Sequence, residues 1–166
     1  MTDDTAGAPR VRPAELVGVW QLVAFREVDD EGGGTVEGPL GADPGGLLIY
    51  EPNGAMSVSM MRRAGQHAEA AGPADGRPRT TEYMGYAGTW RLEGTRLVHH
   101  VEVSTHTYQL GQDLEREVRL RGDRLELIGR APVGGRVRQR VLTWRRRTSD
   151  GADGAPASAG YARGPG

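Results

Sequence analysis

The chain contains no cysteine and no lysine. Without cysteine it has no disulfide, no thiol nucleophile and no cysteine-bound zinc. Without lysine, Schiff-base chemistry, a lysine-anchored pyridoxal cofactor and a P-loop are excluded. All 21 basic residues are therefore arginines. No apolar run approaches the ~18 residues that a membrane-spanning helix needs. The opening Met1-Thr2-Asp3-Asp4 has neither the basic nor the apolar region of a secretory signal, so the expected location is the cytoplasm. Charge of one sign is also lacking: the net charge is −1, which gives no general case for nucleic acid or a membrane surface as partner.

The 166 residues suit one domain with a real core. Gly 26 and Pro 10 bring the composition just short of that of a disordered chain. The ends differ from the middle. Residues 1–12 are short and polar and read as a flexible N-terminus. Residues 148–166, TSDGADGAPASAGYARGPG, have too few apolar side chains to offset their ordering entropy and read as a disordered tail. The folded domain is expected over 13–147.

Within it, short alternating segments broken by turn residues predict about eight strands, at 16–28, 45–51, 55–61, 85–92, 95–104, 113–121, 124–130 and 136–147. Residues 62–84, broken by Gly and Pro, read as a long loop with a helical turn, of a length that suits a lid. Three turns predict the pairing. Glu93-Gly94 places Leu92 opposite Thr95, Trp90 opposite Leu97 and Gly88 opposite His99. Gly122-Asp123 sets Leu120 against Leu125 and Arg116 against Gly129. Pro52-Asn53-Gly54 sets Tyr50 against Met56 and Leu48 against Val58.

Cross-strand partners share a face. One face collects Leu48, Tyr50, Met56, Val58, Met60, Tyr86, Trp90, Leu97, Val101, Val103, Leu114, Val118, Leu120, Leu125 and Leu127. The other collects Ser57, Ser59, Arg91, Glu115, Glu117, Arg119, Arg121, Arg124 and Glu126. Successive hairpins with one apolar and one charged face describe an all-β, antiparallel up-and-down meander, and about eight strands can close into a barrel with room for one small ligand. A two-sheet sandwich is the structural alternative; its crossovers could come only from 29–44 and 62–84.

Gly18-Val19-Trp20 resembles the G-x-W signature of lipocalins. GVWQLVAF, PLGADPGGLLIYEPNGAMS, EYMGYAGTWRLEG, HHVEVS and the closing LTWRR are together similar to the bacterial lipocalin-like domain family, over about 15–147. The resemblance implies an eight-stranded antiparallel barrel with a central hydrophobic pocket. It implies that Trp20 plugs the closed end beside Arg145 or Arg146. Related barrels are ligand carriers, and similar ones in bacterial secondary metabolism are cyclases or isomerases.

Two polar residues interrupt the inner face: His99, between Leu97 and Val101, and Arg116, between Leu114 and Val118. An inward arginine needs a partner, a ligand anion or water. If the 104–112 connection closes evenly, Val101 lies opposite Arg116 with His99 as its diagonal neighbour, and Gly88 and Gly129 leave room beside both. Tyr50 and Tyr86 add two phenols to that face. His99, Arg116, Tyr50 and Tyr86 are thus the candidate catalytic residues, and Leu48, Met56, Val58, Met60, Trp90, Val101, Val118 and Leu127 the candidate ligand-binding walls. A self-satisfied core network in a plugged barrel is the competing reading.

His100 and Glu102 fall outward, unless a bulge near Val98 swaps them for His99. His67 and His106 fall in loops. Adjacent strand residues point apart, so His99, His100 and His106 make no metal site. No cofactor is expected. The partner expected is a hydrophobic small molecule, acted on by cofactor-free cyclisation or isomerisation of a polyketide- or terpenoid-like intermediate, or carried without reaction. Either a monomer or a homodimer fits.

Overall fold

The computed structural model describes residues 10–29, 34–63, 83–133 and 135–148. Most of the expected 62–84 loop, residues 1–9, His67 and the tail after Thr148 lie outside the described residues. A short helix α1 (Pro13–Leu16) leads into β1 (Gly18–Asp29), β2 (Thr35–Glu37), β3 (Pro44–Tyr50) and β4 (Ala55–Arg62). After these come β5 (Tyr83–Glu93), β6 (Arg96–Ser104), β7 (Asp113–Arg121), β8 (Arg124–Val133) and β9 (Arg136–Arg146). Strands β3 to β9 pair in sequence order, β1 pairs with β3, and β1 also pairs with β9, which closes an eight-stranded antiparallel barrel. The three-residue β2 is an extra edge strand on β1, within a stretch read from sequence as connection.

The turn chemistry explains where the pairing agrees with expectation and where it does not. Pro52-Asn53-Gly54 gives Tyr50↔Met56 and Leu48↔Val58, and Gly122-Asp123 gives Leu120↔Leu125, as the sequence predicts. The β5–β6 turn is Gly94-Thr95 rather than Glu93-Gly94. Gly94 has φ +67° and takes the first turn position, the place of glycine in a type II′ hairpin. Leu92 therefore faces Leu97, Trp90 faces His99 and Gly88 faces Val101. The shift is two residues, so every side chain keeps its face.

Two further corrections concern β6. Arg116 pairs with Leu97 and His99 with Leu114, because the β6–β7 connection folds back through a 3-10 turn at Thr107–Gln109. Val101 is left bonded to Gly111 and Gln112 instead of facing Arg116. A bulge between Ala87 and Gly88, opposite Glu102, shifts the register by one and turns Val103 outward, where it is 66% exposed. That bulge lies beyond His99, which stays inside.

One end of the barrel is closed by Trp20, which is fully buried and donates its indole N–H to Leu16 of α1 (2.8 Å). Arg146 stacks on the Trp20 ring, 4.1 Å from its centroid, and donates to the carbonyls of Val17 and Glu15. Leu16, Leu22, Leu40, Leu97, Leu125 and Trp144 belong to the buried core of the barrel, each burial worth about 1.5–3 kcal/mol. The other end holds the cavity.

Candidate functional site

A cavity of about 480 Å³ occupies the barrel interior, within the usual range for a small-molecule site. Its apolar wall includes Leu48, Val58, Met60 and Leu127, four of the expected ligand-binding residues. Met56, Val101 and Val118 are buried and Trp90 is half-buried, but none of the four lines the cavity. Residues the sequence reading did not single out as walls complete it: Phe25 of β1, Met84 of β5, and Arg140, Leu142 and Trp144 of β9.

His99, Tyr86 and Arg116 all line the cavity. His99 is 1% exposed, and both of its ring nitrogens are engaged: Nε2 by the Tyr50 hydroxyl at 2.7 Å, Nδ1 by the Tyr86 hydroxyl at 2.8 Å. Tyr50 lies behind His99, outside the cavity lining, packed on Trp90 with centroids 4.9 Å apart. Arg116 lies over Gly129, where any Cβ would stand 2.9 Å from its Nη1. Its Nη1 donates to the Glu115 carbonyl at 2.8 Å, and its positive charge lies close to Tyr86.

The network assigns the protons. Tyr50 is buried and has no other hydrogen-bond partner among the described residues, so its O–H must donate to Nε2 or be stranded. A stranded buried hydroxyl costs roughly 1–3 kcal/mol. His99 therefore carries its proton on Nδ1 and donates to the Tyr86 oxygen. The Tyr86 O–H is left to point into the cavity.

Electrostatics agree with that arrangement. Burial, and then the Arg116 charge, lower the His99 pKa to about 3, so the imidazole is neutral at ordinary pH. Burial pushes Tyr50 well above the usual phenol value, and the nearby Tyr86 adds to this while Arg116 opposes it. Burial also raises Tyr86, opposed by the nearby Arg116 charge. Tyr86 is a protonated donor whose phenolate form has a cation beside it.

The other histidines stand apart. His100 points outward onto Asp113 (2.7 Å), and His106 stacks on Tyr108 at the cavity mouth. Glu102 is exposed. No cluster of three or more metal-ligating side chains occurs among the described residues, and no helix among them is long and apolar enough to cross a membrane.

A closed eight-stranded antiparallel barrel, a tryptophan plug capped by an arginine and an apolar interior cavity accompany a match of residues 17–147 to the lipocalin-like domain family. The chain belongs to that family. Among curated proteins, none matches it. A lipocalin-like barrel with this cavity suits the binding of a small hydrophobic ligand.

Proposed function

We propose that this lipocalin-like barrel binds a polyketide- or terpenoid-like biosynthetic intermediate and catalyses its cyclisation or isomerisation without a cofactor. The observation that carries this reading is the Tyr50–His99–Tyr86 chain, which ends in a free donor beside Arg116 at the cavity wall. A carrier needs the apolar walls; it does not need a buried chain that aims a proton at its ligand.

In this reading a flexible substrate folds against Leu48, Val58, Met60 and Leu127, with one carbonyl oxygen accepting from the Tyr86 O–H. Holding the reacting carbons together supplies several kcal/mol on its own. As the substrate's own enol carbon closes onto the β-carbon of the conjugated ketone, the enol π pair forms the new C–C bond, the enone π pair moves onto that oxygen, and Tyr86 and Arg116 stabilise the developing charge. If the proton passes fully to the oxygen, the Tyr86 phenolate keeps the His99 Nδ1–H as donor and the Arg116 charge nearby. The attacking enol's O–H proton ends on the α-carbon as the product ketone re-forms and Tyr86 recovers its own, so nothing is consumed. His99 acts through Tyr86 as a positioning residue, and Tyr50 positions His99.

The test is turnover of linear polyenes bearing a β-keto group, followed by chromatography and mass spectrometry. Tyr86→Phe should lower kcat by about 10²–10³, the usual cost of one lost oxyanion donor, with KM little changed. Tight binding without conversion of any such compound, with Tyr86→Phe altering only affinity, would identify a carrier instead.

A further inference from the structure

The polar side chains that reach the cavity are almost all donors. Among the described residues, no aspartate or glutamate lines it, whereas Arg116, Arg130 and Arg140 do. Arg116 has no carboxylate partner among the described residues; its one hydrogen bond among them is to the Glu115 carbonyl. Across the barrel, Arg140 and Arg138 share a single buried carboxylate, Glu27, at 3.0 and 3.5 Å. One negative charge thus answers two guanidinium groups there. Trp144 Nε1 is buried, has no hydrogen-bond partner among the described residues, and belongs to a residue of the cavity wall. The Tyr86 O–H is free as well. The one amide oxygen at the mouth, that of Gln109, is already taken by the Ser104 hydroxyl at 2.8 Å.

A buried donor without an acceptor is costly, and Arg116, half-buried at the wall, has no carboxylate to answer its charge. The missing acceptors must come from whatever fills the space. We propose that the cavity selects an amphipathic oxyanion, an apolar body bearing one delocalised negative charge on oxygen, over the neutral molecule with the same skeleton. The inference rests on the reading of the cavity as a small-molecule site, and it names the substrate class of that site: a carboxylate or a stabilised enolate whose charged oxygens meet Arg116 and Tyr86. Charge-assisted bonds to a guanidinium are shorter and stronger than neutral ones, and the low-dielectric wall amplifies the difference.

Two fluorescent probes of nearly one skeleton test this on the full chain: 8-anilinonaphthalene-1-sulfonate, an anion, and N-phenyl-1-naphthylamine, its neutral counterpart. The anion should bind about 10- to 100-fold tighter, the range expected of a hydrogen bond to a charged group, and added salt should weaken only the anion. Arg116→Met should remove most of the preference. Arg121→Met makes the same charge change at an exposed position of the same strand and should leave it intact. Decanoate and a 4-hydroxy-6-alkyl-2-pyrone then compete for the bound anion: displacement by the first marks a carboxylate site, by the second an enolate site. Displacement by neither overturns the proposal. Neutral probe binding as tightly as the anion overturns it too, yet leaves the cavity reading standing. If neither probe binds, the cavity reading fails with it. Equal loss in Arg121→Met would reveal surface attraction only and also overturns it. The wild-type ratio decides even if Arg116→Met does not fold.

Discussion

The Tyr50 hydroxyl donates to His99 Nε2 at 2.7 Å, and this one bond orients every other proton in the site. Tyr50 comes from β3 and His99 from β6, so the contact spans the barrel interior and not a strand ladder. It leaves His99 a donor to Tyr86, and Tyr86 a donor to the cavity.

Tyr50→Phe should therefore release the tautomer while leaving the ring packed on Trp90. Nε2 then loses its only donor, at a stability cost of about 1–3 kcal/mol for an unsatisfied buried acceptor. Nitrogen-15 NMR should show the wild-type proton on Nδ1 and a mixture of tautomers in the variant. A wild-type ring protonated on Nε2 would refute the assigned direction of the chain.

His99 also makes stability depend on pH. Its pKa is about 3 when folded, against 6.5 for an unperturbed histidine, so between those values the unfolded chain binds a proton that the folded one does not. Stability should consequently fall with acidification across that window, with a slope approaching about 1.4 kcal/mol per pH unit well below the unperturbed value. Denaturant melts at several pH values, compared with His99→Gln, isolate this contribution: the variant should show a flatter dependence. Identical slopes in the two proteins would mean the imidazole titrates normally.

Arg146 does for the closed end what His99 does for the cavity. Its plane covers Trp20, and its two terminal nitrogens satisfy the carbonyls of Val17 and Glu15 around the end of α1. Lysine keeps the charge but loses both the planar stack and the two-pronged donation. Arg146→Lys should lower stability by about 1–2 kcal/mol, seen as an earlier urea midpoint with unchanged slope, and should leave ligand affinity alone. A change in affinity at unchanged stability would place Arg146 in the binding machinery.

Faces were legible in the sequence where registers were not. Alternation has a period of two, so the two-residue shift at Gly94-Thr95 and the four-residue shift between β6 and β7 left His99 and Arg116 inside. The one-residue bulge opposite Glu102, by contrast, reversed Val103. The bulge between Leu22 and Ala24 likewise breaks the alternation of β1, bringing Phe25 and Glu27 to the pairing positions of Leu142 and Arg140. The Glu27 pair with Arg138 and Arg140, and hence the charge of that wall, was hidden for this reason. The Tyr50–His99 hydrogen bond was hidden for another: pairing rules relate neighbouring strands, while these two residues meet across the interior.

The glycines expected to stand beside the two polar residues play different parts, and substituting each should separate them. A Cβ on Gly88 would lie 1.9 Å from the His100 carbonyl oxygen and 3.0 Å from the Glu102 amide nitrogen. Both are backbone atoms held in the β5–β6 ladder, so the bulge itself must move. Gly88→Ala should cost about 3 kcal/mol or more, in the range reserved for steric conflict in a core. On Gly129 the Cβ would meet Arg116 instead: Nη1 at 2.9 Å, Cδ at 3.0 Å and Cζ at 3.1 Å. Those atoms end a flexible side chain that can swing aside. Gly129→Ala should then cost under about 1 kcal/mol while displacing the guanidinium from Tyr86, so the preference for the anionic probe should fall with little change in melting. Equal destabilisation by the two substitutions would mean that Arg116 is locked in place and cannot yield to a ligand.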